Sequence, residues 1–329
     1  MTSNTDDSRS LALVGGGNWG KNLARSFYSQ GLLHTLCDLN EEHLKTYAEK
    51  YPEVKLTTDF QSVLKQPKIT KVAIATPPPT HYALVKQALL AGKDVFVEKP
   101  LCMDMNEGLE LAHLAEKQGL VLMTGHIMQY HPIINMMQEI VKEQLFGPLI
   151  SIQSKRFNPL SFYKEEDVLW DLGPHDISLI LSFCGNAPLK NICYTEQNHS
   201  QGGVLDALTF HMDFESGFHA DVGVSRLSPI KQQKIELTCS KAVLVFDDTK
   251  IWHEKLAILS HEEHKLYNHR LKVYDQMAKI PQLEPLKREC DHFRDCCEKR
   301  KKAITCAHEA INVVNILQTV HHVIHPFAA

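Results

Sequence analysis

The sequence predicts an α/β protein of two domains: a doubly wound parallel sheet over residues 1–125, then an α/β domain with an open, mainly antiparallel sheet over residues 126–329. Three observations predict this. The chain has 329 residues, long for one compact core, so two domains are expected. Its first 125 residues alternate short apolar runs with helical periodicity, the pattern of a parallel sheet with crossover helices. Beyond Gly147 the apolar runs take period two, separated by turn residues such as Glu215-Ser216-Gly217, which marks antiparallel strands.

Taken in order, the candidate strands of the first domain are Leu11–Val14, Leu32–Asp38, Lys71–Thr76, Asp94–Pro100 and Leu120–Gly125, with helices filling the gaps. One helix begins in PPPTHY, where prolines suit an entry and would break an interior. Sheets of this kind bind ligands outside the carboxyl ends of their strands, and Gly15, Asp38, Thr76 and Lys99 fall at or just past such ends. In the second domain PLISIQSKRF, VLDALTFHMDF, GFHADVGVSRL, QQKIELTCS and AVLVFDD supply the alternating strands. In VLWDLGPHDISL, Pro174 predicts a helix that starts near it, which puts Asp171 in the turn leading in. Ile304, Ala307, Ile311, Val314 and Leu317 recur at three- and four-residue spacing, an amphipathic C-terminal helix expected to pack back on the first domain. Residues 253–281 carry no clear pattern.

Composition narrows the function. Lys plus Arg is 35 against 39 for Asp plus Glu, a net charge of −4, so no basic surplus points to nucleic acid. No apolar run approaches the roughly 20 residues needed to cross a bilayer. The polar start MTSNTDDSRS lacks the plan of a signal peptide, and a cytoplasmic protein is expected. Nine cysteines, an odd number spread over strands and helices, fit reduced thiols there. Cys290, Cys296, Cys297 and Cys306 match no zinc spacing and read as helix-packing thiols. The terminal HHVIH lacks cysteine or acidic company and reads as surface histidines, so no metal site is expected.

The chemistry concentrates in a few motifs. Directly after the first strand, Gly15, Gly17 and Gly20 form G-x-G-x-x-G, with Asn18 and Trp19 inside it. The first glycine permits a tight turn, the second lets a pyrophosphate approach the backbone, and the third lets helix pack on strand. The helix N-terminus then offers free N–H groups and its dipole to phosphate. Asp38, at the end of the second strand, would accept from the adenine-ribose hydroxyls and repel a 2′-phosphate; with no arginine following, NAD is favoured over NADP. ATPPPTH and VEKP each close a strand of the same sheet, adding Thr76, Pro77, Pro78, His81, Glu98 and Lys99 to the cofactor side. Lys99 could stabilise a developing alkoxide, and reads equally as a solvated strand-end lysine. Asp171 and His175 read either as a helix start or as a proton-transfer pair.

The order G-x-G-x-x-G, A-T-P-P-x-x-H, E-K-P and D-x-x-x-H resembles the glucose-fructose oxidoreductase, inositol dehydrogenase and rhizopine catabolism protein family, Gfo/Idh/MocA, over nearly the whole chain. The resemblance implies a Rossmann domain, a mixed α/β second domain, and hydride transfer between a sugar-like carbinol and a nicotinamide. Carried over by motif, Lys99 steadies the substrate oxygen, His175 takes the hydroxyl proton, and Asp171 orients its ring. Many relatives have an acid three residues after the histidine; here that position is Ser178 and Asp176 follows His175 directly, so Asp171 and Asp176 both stand as partners, with Asp171 favoured. LWDLGPHDISLIL and TGHIMQYHP look most like dehydrogenases of nucleotide-linked (UDP) sugars in surface-polysaccharide biosynthesis. Arg156 and Asn158 could face a substrate phosphate or carboxylate, with Tyr130 a further substrate candidate and Trp170 a cofactor or seam residue. A free sugar, inositol or other cyclic polyol is the alternative substrate, and a non-catalytic dinucleotide-binding regulator the alternative class. A homodimer or homotetramer is expected, because an open sheet face would leave apolar surface in water.

Overall fold

The computed structural model describes residues 9–159, 167–185, 187–199, 204–260 and 281–325. Most of the N-terminal MTSNTDDSRS and of the patternless stretch before Pro281 lies outside these. The chain forms two compact units, one from Met1–His126 with Leu286–Val314 and the other from Ile127–Pro285 with Asn315–Ala329.

The first unit is built on a six-stranded parallel sheet. Its strands are β1 (Leu11–Val14), β2 (Leu33–Cys37), β3 (Lys55–Thr57), β4 (Lys71–Ile74), β5 (Asp94–Glu98) and β6 (Leu122–Gly125), in the order β3-β2-β1-β4-β5-β6. Strands β1, β2 and β5 are buried along their whole length, which is why they read as continuous apolar runs. The edge strand β3 has only three residues and no apolar run, so the sequence did not reveal it. The crossover helices are α1 (Gly20–Ser29), α2 (Glu41–Lys50), α3 (Phe60–Leu64), α4 (His81–Leu90) and α5 (Met105–Gln118). Asn40, Asp59 and Asp104 cap α2, α3 and α5 by accepting from backbone N–H groups one turn in. The late helix α8 (Pro285–Lys299) joins this unit: Phe293 meets Phe27 and Phe96 edge-on, with centroids 6.4 and 5.8 Å apart. All nine cysteines are free thiols, and Cys290, Cys296 and Cys297 are buried along α8.

The second unit holds a seven-stranded sheet in the order β13-β12-β11-β7-β10-β9-β8. Its strands are β7 (Leu149–Phe157), β8 (Leu189–His199), β9 (Leu205–Phe214), β10 (His219–Ser225), β11 (Gln232–Cys239), β12 (Ala242–Asp247) and β13 (Leu256–Ser260). Only the β7–β10 pair is parallel; the others are antiparallel. Helices α6 (Pro132–Lys142) and α7 (Val168–Cys184) belong to this unit, and α9 (Ala307–Ile324) contributes to both.

Two expectations need correction. Helix α7 begins at Val168, six residues before Pro174, because Asp167 caps it by accepting from Leu169 N at 2.7 Å. Pro174 therefore sits inside the helix, buried like Leu172, Gly173 and Ile177 around it, so packing offsets the hydrogen bond its missing N–H forgoes. Ile304 lies before α9 and is 53% exposed, so it is not part of that helix's apolar face. The outward face of the second sheet is mixed: Gln153, Lys155, Thr209, His211, Asp221 and Glu236 share it with Val243, Val245 and Leu259. No helix among the described residues is long and apolar enough to cross a membrane.

Candidate active site

The glycine motif occupies the tight turn between β1 and α1, and its three glycines are required for different reasons. Gly15 has φ of +96°, and a Cβ there would lie 2.5 Å from Ala75 O. A Cβ on Gly20 would lie 2.1 Å from Gly15 O, so helix and strand pack here only without a side chain. Gly17 has no protein atom within 4 Å of its ideal Cβ and no positive φ. Nothing in the protein explains that glycine, whereas a backbone approached closely by a ligand does. Helix α1 carries no acid in its first turn, which leaves its positive end open to an anion.

Asp38 lies beside this turn. Its Oδ2 accepts from Gly16 N at 2.6 Å and its Oδ1 from Asn40 N at 2.7 Å, while His43 Nδ1 approaches Oδ2 at 3.1 Å. Burial pushes its pKa up, but those backbone donors and His43 outweigh it and hold the carboxyl below its usual value. Asp38 is therefore an anion fixed at the end of β2, suited to hydroxyl donors and unsuited to a second phosphate. The cradle at Gly17 and this carboxylate fit a dinucleotide held by Gly15, Gly17, Gly20 and Asp38.

The remaining first-unit candidates divide. Thr76 Oγ1 meets Thr80 Oγ1 at 2.6 Å in the loop after β4, which turns through Pro77 and Pro78 into α4. His81 is fully buried, with Nδ1 2.7 Å from Pro100 O and Nε2 2.8 Å from Thr76 O. Burial lowers its pKa, and whichever nitrogen carries the proton donates to one of these two backbone carbonyls. It fastens the loops after β4 and β5 to each other, and faces no ligand itself. Asn18 and Trp19 are exposed on the glycine turn, and Trp19 Nε1 donates to Glu98.

Glu98 and Lys99 close β5. Glu98 is buried and its pKa is raised to about 7, burial acting against the Lys99 charge and the Trp19 hydrogen bond. Beneath it lies Glu289 of α8, fully buried, with neither carboxyl oxygen hydrogen-bonded among the described residues. Burial, and then the Glu98 charge, push Glu289 well above the usual carboxylate range. Lys99 is half-buried at the strand end. Neither Glu289 nor His126, whose Nδ1 lies 2.7 Å from Glu309 Oε2, was legible from local sequence pattern.

In the second unit α7 presents a clear selection. From Val168 to Leu181 every residue is buried except Asp171 and His175, which are one turn apart on the same helix face. Arg226, itself buried, donates from an NH2 to Asp171 Oδ2 at 3.2 Å and lies 3.8 Å from Asp206 Oδ1. Asp176 points the other way. Arg156 Nε donates to its Oδ2 at 2.7 Å, Arg156 NH2 to its Oδ1 at 3.2 Å, and Ser154 Oγ to its Oδ1 at 2.7 Å.

That geometry corrects two assignments. Arg156 is 7% exposed and committed to Asp176, so it is a core ion pair and no substrate contact. Tyr130 is 3% exposed at the end of a short 3-10 turn, so its side chain is also core. Neighbouring His131 caps α6, its Nδ1 accepting from Ile133 N. Asn158 follows β7 half-buried, its N–H donating to Ser225 O at 2.8 Å. Trp170 is buried against His321, ring centroids 6.4 Å apart.

Residues 9–126 match the oxidoreductase family with NAD-binding Rossmann fold, and residues 134–245 match the GFO/IDH/MocA C-terminal domain. The chain belongs to the Gfo/Idh/MocA oxidoreductase family. A UDP-N-acetylglucosamine 3-dehydrogenase of Acidithiobacillus ferrooxidans is 31% identical over 54% of this chain and 55% of its own length. The scyllo-inositol 2-dehydrogenase (NAD(+)) of Bacillus subtilis is 29% identical over 53% of this chain and 54% of its own. The matched sequence segment thus spans about half the length of each of these relatives. A solved structure of the Acidithiobacillus enzyme superposes with a TM-score of 0.84 at 21% identity, covering 97% of this chain and 98% of that one, which establishes the shared fold. As a member of a sugar oxidoreductase family, this protein is an enzyme that carries a nicotinamide-binding domain.

Proposed function

We propose that this protein is an NAD-dependent dehydrogenase that oxidises a ring hydroxyl of a nucleotide-linked sugar to a ketone. The observation that carries the reading is the pair Asp171 and His175, the two polar positions left open on an otherwise buried stretch of α7. Bound NAD supplies the electron-pair acceptor: the carbinol C–H breaks with its electrons leaving as hydride. The hydroxyl proton goes to a ring nitrogen of His175 as the C=O forms. Asp171, one turn earlier, favours the imidazolium that results, and Arg226 fixes the Asp171 carboxylate while moderating its charge. Lys99 steadies the substrate oxygen as negative charge develops on it. Asp176, satisfied by Arg156 and Ser154, has no part in this transfer.

Preference for NAD rests on Asp38, an anion where a 2′-phosphate would have to sit. The nucleotide-sugar substrate is supported by the 31% identical UDP-N-acetylglucosamine 3-dehydrogenase. One observation favours a free cyclic polyol instead: Arg156, the candidate partner for a diphosphate, is taken by Asp176. Activity on nucleotide-linked and free forms of one sugar separates the two. Lys99→Ala and His175→Ala should bind NAD as the wild type does and lose turnover by about 10²–10⁴-fold, the usual contribution of a positioned acid–base group. Wild-type turnover in both would contradict these roles.

A further inference from the structure

The sequence leaves the terminal HHVIH without acidic company; the fold supplies it. Asp167, His321 and His325 each place one ligand atom within 4.8 Å of the other two, the sole such group of His, Cys, Asp or Glu among the described residues. His321 sits in the last turn of α9, and His325 follows one turn later with its N–H donating to His321 O at 3.0 Å. Their rings therefore share a face, with centroids 4.8 Å apart. Asp167 caps α7 through Oδ1, which leaves Oδ2 available. We propose that Asp167, His321 and His325 bind a divalent transition-metal ion of the zinc class, with solvent completing the coordination.

Two features support this beyond proximity. The set of two imidazoles and one carboxylate is a common three-ligand zinc arrangement, and its ligand atoms lie about 2 Å from the metal. His321 Nδ1 is buried with no hydrogen-bond partner, a loss that a metal or a bound water would repair. His322 is exposed and outside the cluster.

The metal would tie the start of α7 to the end of α9. His175 lies eight residues further along α7, a rise of about 12 Å, so the ion would brace the helix that carries the proton acceptor and would not touch the reacting carbon. The test uses the untagged full chain, stripped with chelator and titrated with Co²⁺ while the visible absorption of tetrahedral Co²⁺ is followed. One equivalent should bind and be displaced by Zn²⁺. His321→Ala and His325→Ala should each weaken Zn²⁺ binding at least about 100-fold, since losing even an outer-shell partner costs 10–100-fold. His322→Ala should bind as the wild type does. Zn²⁺ should raise the unfolding midpoint of wild type and of His322→Ala, and leave the two ligand variants unmoved. Should His321→Ala fail to fold, His325→Ala decides alone, as its half-exposed side chain follows the last helical residue. No saturable Co²⁺ signal in wild type, or binding that survives in the ligand variants, would overturn the proposal.

Discussion

Gly17→Ala isolates the ligand-binding role of the glycine turn from its folding role. The added methyl meets no protein atom within 4 Å, and the backbone there has no positive φ. Folding stability should therefore hold or rise by about 0.4–1 kcal/mol, because alanine narrows the unfolded ensemble. The methyl instead occupies the space where pyrophosphate meets backbone N–H groups. Losing one charge-assisted hydrogen bond is worth about 1.5–3 kcal/mol, which converts to roughly 10- to 100-fold in Kd at 1.4 kcal/mol per decade. Calorimetric titration with NAD, beside thermal unfolding of the unliganded protein, separates the two effects. Gly20→Ala provides the contrast: its methyl would lie 2.1 Å from Gly15 O, so the fold itself must give way. Wild-type NAD affinity in Gly17→Ala would refute the cradle, and so would a large loss of stability.

Two further predictions address buried charge. Asp176→Asn leaves the Arg156 guanidinium without its counter-charge in the core, and should cost about 3–5 kcal/mol in urea unfolding; a change below about 1 kcal/mol would show that the pair is not structural. The folded-state pKa of Glu98, about 7, stands above its ordinary 4.5, so the fold holds that proton more tightly than the unfolded chain does. Wild-type stability should accordingly fall as pH rises from about 4.5 through about 7, and Glu98→Gln, which stays neutral, should flatten that slope. Denaturation of both proteins on either side of that window checks it, and parallel pH profiles would contradict it.

The parallel sheet was legible because its buried strands leave apolar runs and its motifs fall at strand ends. Gly15, Gly17, Gly20 and Asp38 could be read since their roles depend on local backbone and on one adjacent strand. Lys99, Asp171 and His175 stand as candidates through motif order. What stayed hidden depends on contacts distant in sequence. Arg156 looked like an edge residue, yet Ile152, Ser154 and Arg156 alternate on the buried side of β7, and that parity was available. Arg226 could not be foreseen, since its contacts require Asp206 and Asp171 to meet it in space. Glu289 gave no signal either: in sequence it is one acid among the charges of α8. Pro174 misled about the start of α7 because burial of the flanking side chains overrides the lost hydrogen bond, while Asp167 just before the apolar run was the better marker.

The most direct measurement mixes stoichiometric protein and NAD with UDP-linked hexosamines, UDP-linked uronates and free polyols, and follows NADH absorbance through one turnover. Enzyme in quantity matters, because a tightly held cofactor escapes a catalytic assay. A full equivalent of NADH with a nucleotide-linked sugar, and none with the same sugar free, is the predicted result. NADH formed only with free polyols would contradict the substrate proposed here, and no NADH from any of them in NAD-loaded protein would contradict the dehydrogenase reading itself.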